Sequence, residues 1–193
     1  EFACELTVST KDAPAVSSSP APAPTTTTVF KRHMSFITAA DFRKEFCSLV
    51  PNRIEIGPVY TNPPREKDKY PTRVAVEREL ILDVDMDSYD EVRRCCKGSA
   101  VCPKCWGLAR TAIRVADYML RQCFGFKHLL WVFSGRRGVH CWVADKRVRL
   151  LNNEGRESIL SFMSLIKGGV GDLNQRVAGL KVPLHPAILW VYE

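Results

Sequence analysis

The spacing of apolar and polar residues along the chain predicts several strands. Apolar side chains alternate with polar ones over 53–60, where Gly57 and Pro58 predict a bend, and residues 30–36 predict another short strand. The run 79–87 is apolar and carries acidic residues at alternate positions, which is typical of a strand end. We expect these segments to contribute to a sheet.

Apolar positions at helical spacing predict three helices. Their ranges are 38–50, 106–124 and 154–167, and the residues that end them are Pro51, Gly125 and the pair Gly168 and Gly169. Residues 171–193 have weak periodicity and predict no element. Helices and strands together indicate a mixed α+β fold, in which helices flank a mixed or antiparallel sheet.

One segment near the start differs in composition from the rest of the chain. Residues 12–28 consist almost entirely of Pro, Ser, Thr and Ala. Such a segment buries too little apolar surface to offset the entropy that ordering it costs. We therefore expect residues 1–29 to be disordered and the folded domain to occupy 30–193.

The charge of the chain is unevenly distributed. The formal net charge is +7 over 193 residues, and because residues 1–29 carry −2, the remainder carries +9. A basic folded region suits a polyanionic partner, although it also suits a merely soluble domain. No apolar run approaches the roughly 20 residues that cross a bilayer, so no membrane contact is expected.

The run 79–87 brings Asp83 and Asp85 to the same side of a sheet. Side chains on one face repeat every second residue, so the two residues lie roughly 7 Å apart at Cα. Carboxylates this close repel each other unless a cation lies between them, and Mg²⁺ or Mn²⁺ is the usual partner. The alternative is an acidic turn after a buried strand, which this motif alone leaves open.

Four of the eight cysteines are clustered in 95–105. The Cys-Pro-Lys-Cys turn aims two thiolates at one point, and Cys95, Cys96 or both complete a tetrahedral zinc site. The alternative is a set of ordinary buried thiols. Because the cysteines are clustered and no signal-peptide pattern opens the chain, we expect a reducing compartment.

Two apolar runs, 129–133 and 141–144, predict a hairpin. The residues between them, 134–140, hold a hydroxyl, two guanidinium groups, two glycines and an imidazole. Backbone amides at glycines approach a ligand closely, and arginine forks match phosphate oxygens, so the pattern predicts a phosphate-binding turn. The alternatives are a solvated basic hairpin tip and, for His140, a structural histidine.

With the acidic strand, the cysteine cluster and the Ser-Gly-Arg-Arg-Gly-Val-His turn in this order, the chain closely resembles the catalytic small subunit of archaeal and eukaryotic DNA primases. The resemblance runs from about Arg32 to Pro186 and is densest from Leu82 to Asp145. It implies a primase-type catalytic core, with the acid pair and the turn on one sheet, helices behind it and a zinc loop at its edge.

The resemblance also implies roles for individual residues. In that family an acidic pair and a later aspartate hold two metal ions, and Asp83 and Asp85 match the catalytic pair. The residues that match the family's triphosphate-binding turn are Ser134, Arg136, Arg137 and His140. Those that match its zinc ligands are Cys95, Cys96, Cys102 and Cys105. Further nucleotide-binding positions match Arg32, Arg53 and Glu55.

The implied activity is that of a DNA-directed RNA polymerase, which makes short RNA primers for DNA replication by two-metal nucleotidyl transfer. The implied cofactors are Mg²⁺ or Mn²⁺ and a structural Zn²⁺. The implied partners are nucleoside triphosphates, a single-stranded DNA template, the RNA primer, the primase large subunit and the DNA polymerase alpha complex. The resemblance places such a primosome in the nucleus.

The chain departs from the family at both ends. The family's chain continues beyond the position of Glu193, where it supplies the third aspartate, and it begins with a helical region. We therefore expect a fragment that is inactive alone, in which Asp87 is a poor substitute for the third ligand. One alternative is a non-catalytic zinc-containing module that binds nucleotide or nucleic acid. Another is an end-joining or translesion primase-polymerase, although the cysteine cluster favours the replicative type.

Overall fold

The structure, a computed structural model, describes residues 1–9, 26–70 and 72–164. The described residues form two compact units that meet in sequence between Arg78 and Glu79, whereas the sequence predicted one folded domain from residue 30. Both units contain helices and antiparallel strands, which confirms the predicted mixed α+β fold class.

The first unit is built on a strand close to the start of the chain. Strand β1, Phe2–Ser9, lies between β2, Thr26–Met34, and β3, Arg53–Ile56, and is antiparallel to both. Helix α1, Ala39–Leu49, packs on this sheet through Phe46. Strands β4, Val59–Tyr60, and β5, Ala75–Glu77, form a separate antiparallel pair.

The start of the chain differs from the sequence prediction. Disorder was expected throughout 1–29, but residues 2–9 and 26–29 are strand residues, and 10–25 lie outside the described residues. The physical reason is the short alternation of Phe2, Cys4 and Leu6, which turns three apolar side chains towards α1. Cys4 is completely buried there.

The second unit contains the predicted acidic strand and the predicted hairpin in one antiparallel sheet. Strand β6 is Leu80–Asp85, β7 is Leu129–Phe133 and β8 is Gly138–Val143, in the spatial order β6-β8-β7. The helices are α2, Pro103–Tyr118, α3, Lys146–Arg149, and α4, Asn153–Met163. One face of the sheet is covered by a core of Leu80, Leu120, Phe126, Cys141, Val143, Val148 and Ile159.

The ends of the helices differ from those predicted. Helix α2 begins at Pro103 because Cys102 caps it: its N–H donates to the Cys105 sulfur at 3.3 Å. Its α-helical hydrogen bonding ends at Tyr118, and a π-helical turn over Met119–Cys123 continues it. The helix predicted over 154–167 begins at Asn153. Its predicted stop at Gly168 and Gly169, and the tail 171–193, lie outside the described residues.

Candidate metal and nucleotide site

The open face of the second sheet carries the predicted acid pair. Asp83 and Asp85 both belong to β6 and point to the same side, opposite His140 and Gly138 of β8. The Asp83 side chain is 66% exposed, and its Oδ1 lies 3.5 Å from His140 Nε2. The Asp83 carboxylate is therefore accessible at the end of the strand, whereas the Asp85 carboxylate is in contact with Arg137.

The turn between β7 and β8 is closed by Ser134 and Gly138. The Gly138 N–H donates to Ser134 Oγ at 3.0 Å, and the Ser134 N–H donates to the Gly138 carbonyl at 2.9 Å. Gly135 has a φ of +89°, which favours glycine. The Ser134 hydroxyl thus closes the turn, and its proton stays available for the predicted hydrogen bond to triphosphate.

Arg137 lies between two carboxylates. Its Nε and Nη2 donate to both oxygens of Asp85, at 2.6 and 3.0 Å, and Nη2 also lies 2.6 Å from Asp87 Oδ2. The hydrogen bond from Arg137 holds the pKa of Asp85 below its usual range. Asp87 follows β6 in a 3₁₀ turn, Met86–Tyr89, and this contact gives it a role that its sequence position did not suggest.

Arg136 is directed differently from its neighbour. It is exposed and lines a cleft of about 370 Å³ with Val101, Trp106 and Phe133. The Trp106 and Phe133 rings meet edge to face, with centroids 5.6 Å apart. Of the two arginines predicted to bind triphosphate, the structure therefore brings Arg137 to the carboxylates and leaves Arg136 at the outer side of the turn.

The predicted zinc cysteines lie together in the second unit. The sulfur atoms of Cys95, Cys96, Cys102 and Cys105 are all within 4.8 Å of one another. A tetrahedral zinc site with zinc–sulfur bonds of about 2.3 Å separates its sulfurs by about 3.8 Å. The four residues therefore fit a metal ion of tetrahedral sulfur coordination.

The thiols at the start of α2 are the more acidic half of this cluster. The pKa of Cys102 is lowered to about 6, mainly by a hydrogen bond from the backbone N–H of Cys105. The pKa of Cys105 is lowered mainly by a hydrogen bond from the backbone N–H of Cys102. The pKa of Cys96 is raised to about 12, mainly by its hydrogen bond with Cys102. Thiolate at a helix N-terminus is the form that binds a metal.

An ion pair between the buried Arg93 and the partly exposed Asp90, which the sequence did not predict, shapes the cysteine loop. Arg93 is 4% exposed and contacts the Asp90 carboxylate, and it also donates to the carbonyls of Gly98 and Ala100 at 2.9 and 2.8 Å. The Gly98 N–H donates to Asp90 Oδ2 at 2.8 Å. The only sequence signal for this contact is an acid three residues before a base, and such a spacing is too common to predict an ion pair.

The remaining predicted nucleotide residues belong to the first unit. Arg32 is exposed on β2, with its guanidinium carbon 5.4 Å from the Phe30 ring centroid, and it lines a cleft of about 590 Å³. Arg53 and Glu55 form an exposed ion pair on β3 at 3.0 Å. Their contacts with nucleotide therefore stay predictions.

Among the described helices, none is both long and apolar enough to cross a membrane.

Comparison with known proteins identifies the family. Residues 82–188 match the family described as DNA primase small subunit. The DNA primase small subunit of Saccharomyces cerevisiae is 44% identical over 159 residues, which are 81% of this chain and 38% of that protein. The one from Drosophila melanogaster is 45% identical over 139 residues, 72% of this chain and 32% of that protein.

An archaeal relative extends the comparison. The DNA primase small subunit of Archaeoglobus fulgidus is 30% identical over 137 residues, which are 71% of this chain and 39% of that protein. The chain thus spans between 32% and 39% of the length of these three relatives. The match covers the acidic strand, the cysteine cluster and the arginine turn, and the chain belongs to the DNA primase small subunit family.

Proposed function

We propose that this chain is the metal- and nucleotide-binding part of a DNA primase, which synthesises short RNA primers on a single-stranded DNA template. One observation carries the proposal: in a chain of this family, Asp83 and Asp85 lie on the same face of β6, and the Arg137 guanidinium of the turn donates to Asp85. Anionic ligands for a metal and a cationic ligand for phosphate are the two halves of a nucleotidyl-transfer site.

The carboxylates suit a hard divalent cation. The Arg137 guanidinium already places a positive charge against Asp85, and this supports the proposal that a cation binds there. We assign Asp83 and Asp85 as ligands of Mg²⁺ or Mn²⁺. When bound, such ions acidify a 3′-hydroxyl and stabilise the leaving pyrophosphate.

The arginine turn is the proposed triphosphate site. Arg136 and Arg137 would neutralise phosphate oxygens, and His140 and the Ser134 hydroxyl would donate hydrogen bonds to them. Three further contacts with nucleotide are proposed from the family resemblance alone. Arg32 and Arg53 would bind the nucleotide, and Glu55 would accept a hydrogen bond from a ribose hydroxyl, which favours ribonucleotides.

The cysteine cluster is the proposed structural zinc site. The sulfur spacing fits tetrahedral coordination, and all four ligands come from one loop and the start of α2. Zinc there would fix this loop and the start of α2 behind the sheet that carries the carboxylates. Its contribution is therefore to folding and not to chemistry.

The partners are proposed from the family. We assign nucleoside triphosphates, the template strand, the RNA primer, a primase large subunit and a polymerase alpha complex, acting in the nucleus. The chain spans about a third of the length of its relatives. We therefore assign primer synthesis to the whole primase, and the binding of metal and nucleotide to this part of it.

A chimera tests the proposal. Residues 82–188 of this chain would replace the matching segment of the Saccharomyces cerevisiae small subunit, and primer synthesis would be measured on single-stranded DNA. We expect RNA primers from the chimera and none after Asp83→Ala or Asp85→Ala. Glu91→Gln, which removes an exposed acid outside the site, is the matched control. A stable, folded chimera without activity would contradict the proposal.

A second candidate is a non-catalytic nucleotide-binding module. The observation in its favour is that Arg137 occupies both oxygens of Asp85, so the turn and one carboxylate satisfy each other without a metal. Such a module would bind ATP equally well with and without Mn²⁺. A Mn²⁺-dependent gain in ATP affinity therefore discriminates between the two functions.

A further inference from the structure

Asp87 has no place in the proposed ligand set, yet it makes one of the shortest contacts at the site. Its Oδ2 lies 2.6 Å from Arg137 Nη2, the same nitrogen that donates to Asp85 Oδ2 at 3.0 Å. Asp87 lies beyond the end of β6, in the first turn of the 3₁₀ segment Met86–Tyr89. A carboxylate outside the sheet thus holds an arginine of the turn against a carboxylate inside it.

The contact between Arg137 and Asp85 competes with two binding events, that of the metal ion and that of the triphosphate. The fork on Asp85 uses both carboxylate oxygens, which a metal ion needs as ligands. The same guanidinium is needed by the triphosphate. A metal arriving alone must displace Arg137 from Asp85, and a triphosphate arriving alone must draw Arg137 away from two carboxylates.

We propose that Asp87 is a positioning residue that holds Arg137 on Asp85 and thereby makes the binding of metal and of triphosphate depend on each other. This inference rests on the proposed metal and triphosphate site. When both ligands are present, the metal would take the Asp85 oxygens and Arg137 would turn to the phosphates, so Asp85 and Arg137 each keep a partner of opposite charge. Either ligand alone would break the contact between Arg137 and Asp85 and offer a new partner to only one of the two, which weakens its binding.

Removing the charge of Asp87 separates this role from a direct effect on the metal. If Asp87 acts only through its negative charge, Asp87→Asn weakens Mn²⁺ binding by the same factor whether or not Arg137 is present. If it holds Arg137, the same substitution also loosens the competitor for Asp85. The loss of Mn²⁺ affinity is then cancelled or reversed in the presence of Arg137 and fully visible in its absence.

A double-mutant cycle on the full 193-residue chain measures this difference. The variants are Asp87→Asn, Arg137→Gln and the pair, with Glu91→Gln as the control that removes a charge from the same loop without touching Arg137. Mn²⁺ binding without nucleotide is followed by electron paramagnetic resonance. ATP binding in EDTA is followed by calorimetry. Circular dichroism confirms folding, and Asp87→Ser serves if Asp87→Asn does not fold.

We expect the effect of Asp87→Asn on Mn²⁺ affinity to differ between the two backgrounds by about two- to fivefold, as for a partly exposed ion pair. We also expect Asp87→Asn to tighten ATP binding in EDTA more when Arg137 is present. Equal effects in both backgrounds would overturn the inference and leave the proposed function intact. If the wild-type chain binds neither Mn²⁺ nor ATP, the proposed function fails together with it.

Discussion

Replacing Gly138 by alanine tests the strand contact that supports Asp85. Gly138 lies opposite Asp85 in the β6–β8 ladder, and a Cβ added there would lie 2.7 Å from the Val84 carbonyl oxygen and 3.4 Å from the Asp85 Cα. Both neighbours are backbone atoms, which no side-chain rotation can move. Gly138→Ala must therefore push β6 and β8 apart where the acid pair ends.

The size of this effect follows from the distances. The oxygen must retreat by about 0.7 Å to reach an ordinary contact of 3.4 Å. A ladder hydrogen bond of about 2.9 Å lengthened by that amount exceeds the normal range. Overpacking of this kind costs about 1–3 kcal/mol in the free energy of unfolding. Since Asp85 moves with its strand, Mn²⁺ affinity should also fall.

Gly107 provides a matched control. It lies in α2, and a Cβ added there meets nothing within 4 Å. Gly107→Ala should therefore raise the free energy of unfolding by about 0.5–1 kcal/mol, because alanine loses less backbone entropy in a helix. Both variants would be unfolded in urea and titrated with Mn²⁺. If Gly138→Ala is as stable as wild type and binds Mn²⁺ equally well, the register at Asp85 is wrong.

Three further predictions concern the cysteine loop. Cys102→Ala should lower bound zinc below about half an equivalent and destabilise the fold, whereas the exposed Cys123→Ala should do neither, and elemental analysis with thermal unfolding would show it. Arg93→Ala should speed zinc release to a chelator while Arg94→Ala leaves it unchanged, since only Arg93 binds the loop carbonyls; equal rates would contradict this. The Asp90 contact with Arg93 lowers the pKa of that carboxyl in the folded state, so its stabilisation is complete above the unfolded pKa of about 3.9 and is lost as pH falls towards the lower folded value. Urea midpoints between pH 5 and pH 3 should therefore fall less steeply for Asp90→Asn than for wild type, and parallel slopes would refute the contact.

The features that the sequence predicted well are those with local signals. Alternation placed Asp83 and Asp85 on one face of a strand, and two apolar runs around a glycine-rich segment predicted the hairpin. Dense spacing brought the four cysteines into one predicted cluster, and the structure confirms that they lie together. Each of these signals lies within a short stretch of the chain, the longest of which is the hairpin over 129–144, so none of them depends on long-range strand pairing.

The features that the sequence did not reveal depend on long-range pairing. The partner of Asp85 is Arg137, 52 residues away, and only the register of β6 against β8 brings them together. Asp87 looked like a poor metal ligand because it follows the strand, and the same position makes it a partner for Arg137. Strand β1 was missed because the low-complexity composition that follows outweighed three apolar residues in alternation.

The central claim is that the carboxylates of β6 and the arginine turn form one metal-dependent triphosphate site. Calorimetric titration of the chain with ATP, in Mn²⁺ and in EDTA, tests it most directly in wild type and in Asp83→Asn. Asp83 is the suitable position because its side chain is 66% exposed, so its replacement should not disturb folding. We predict that Mn²⁺ tightens ATP binding by about tenfold in wild type and that Asp83→Asn loses this gain. Equal ATP affinity with and without Mn²⁺, or a gain that survives Asp83→Asn, would contradict the claim.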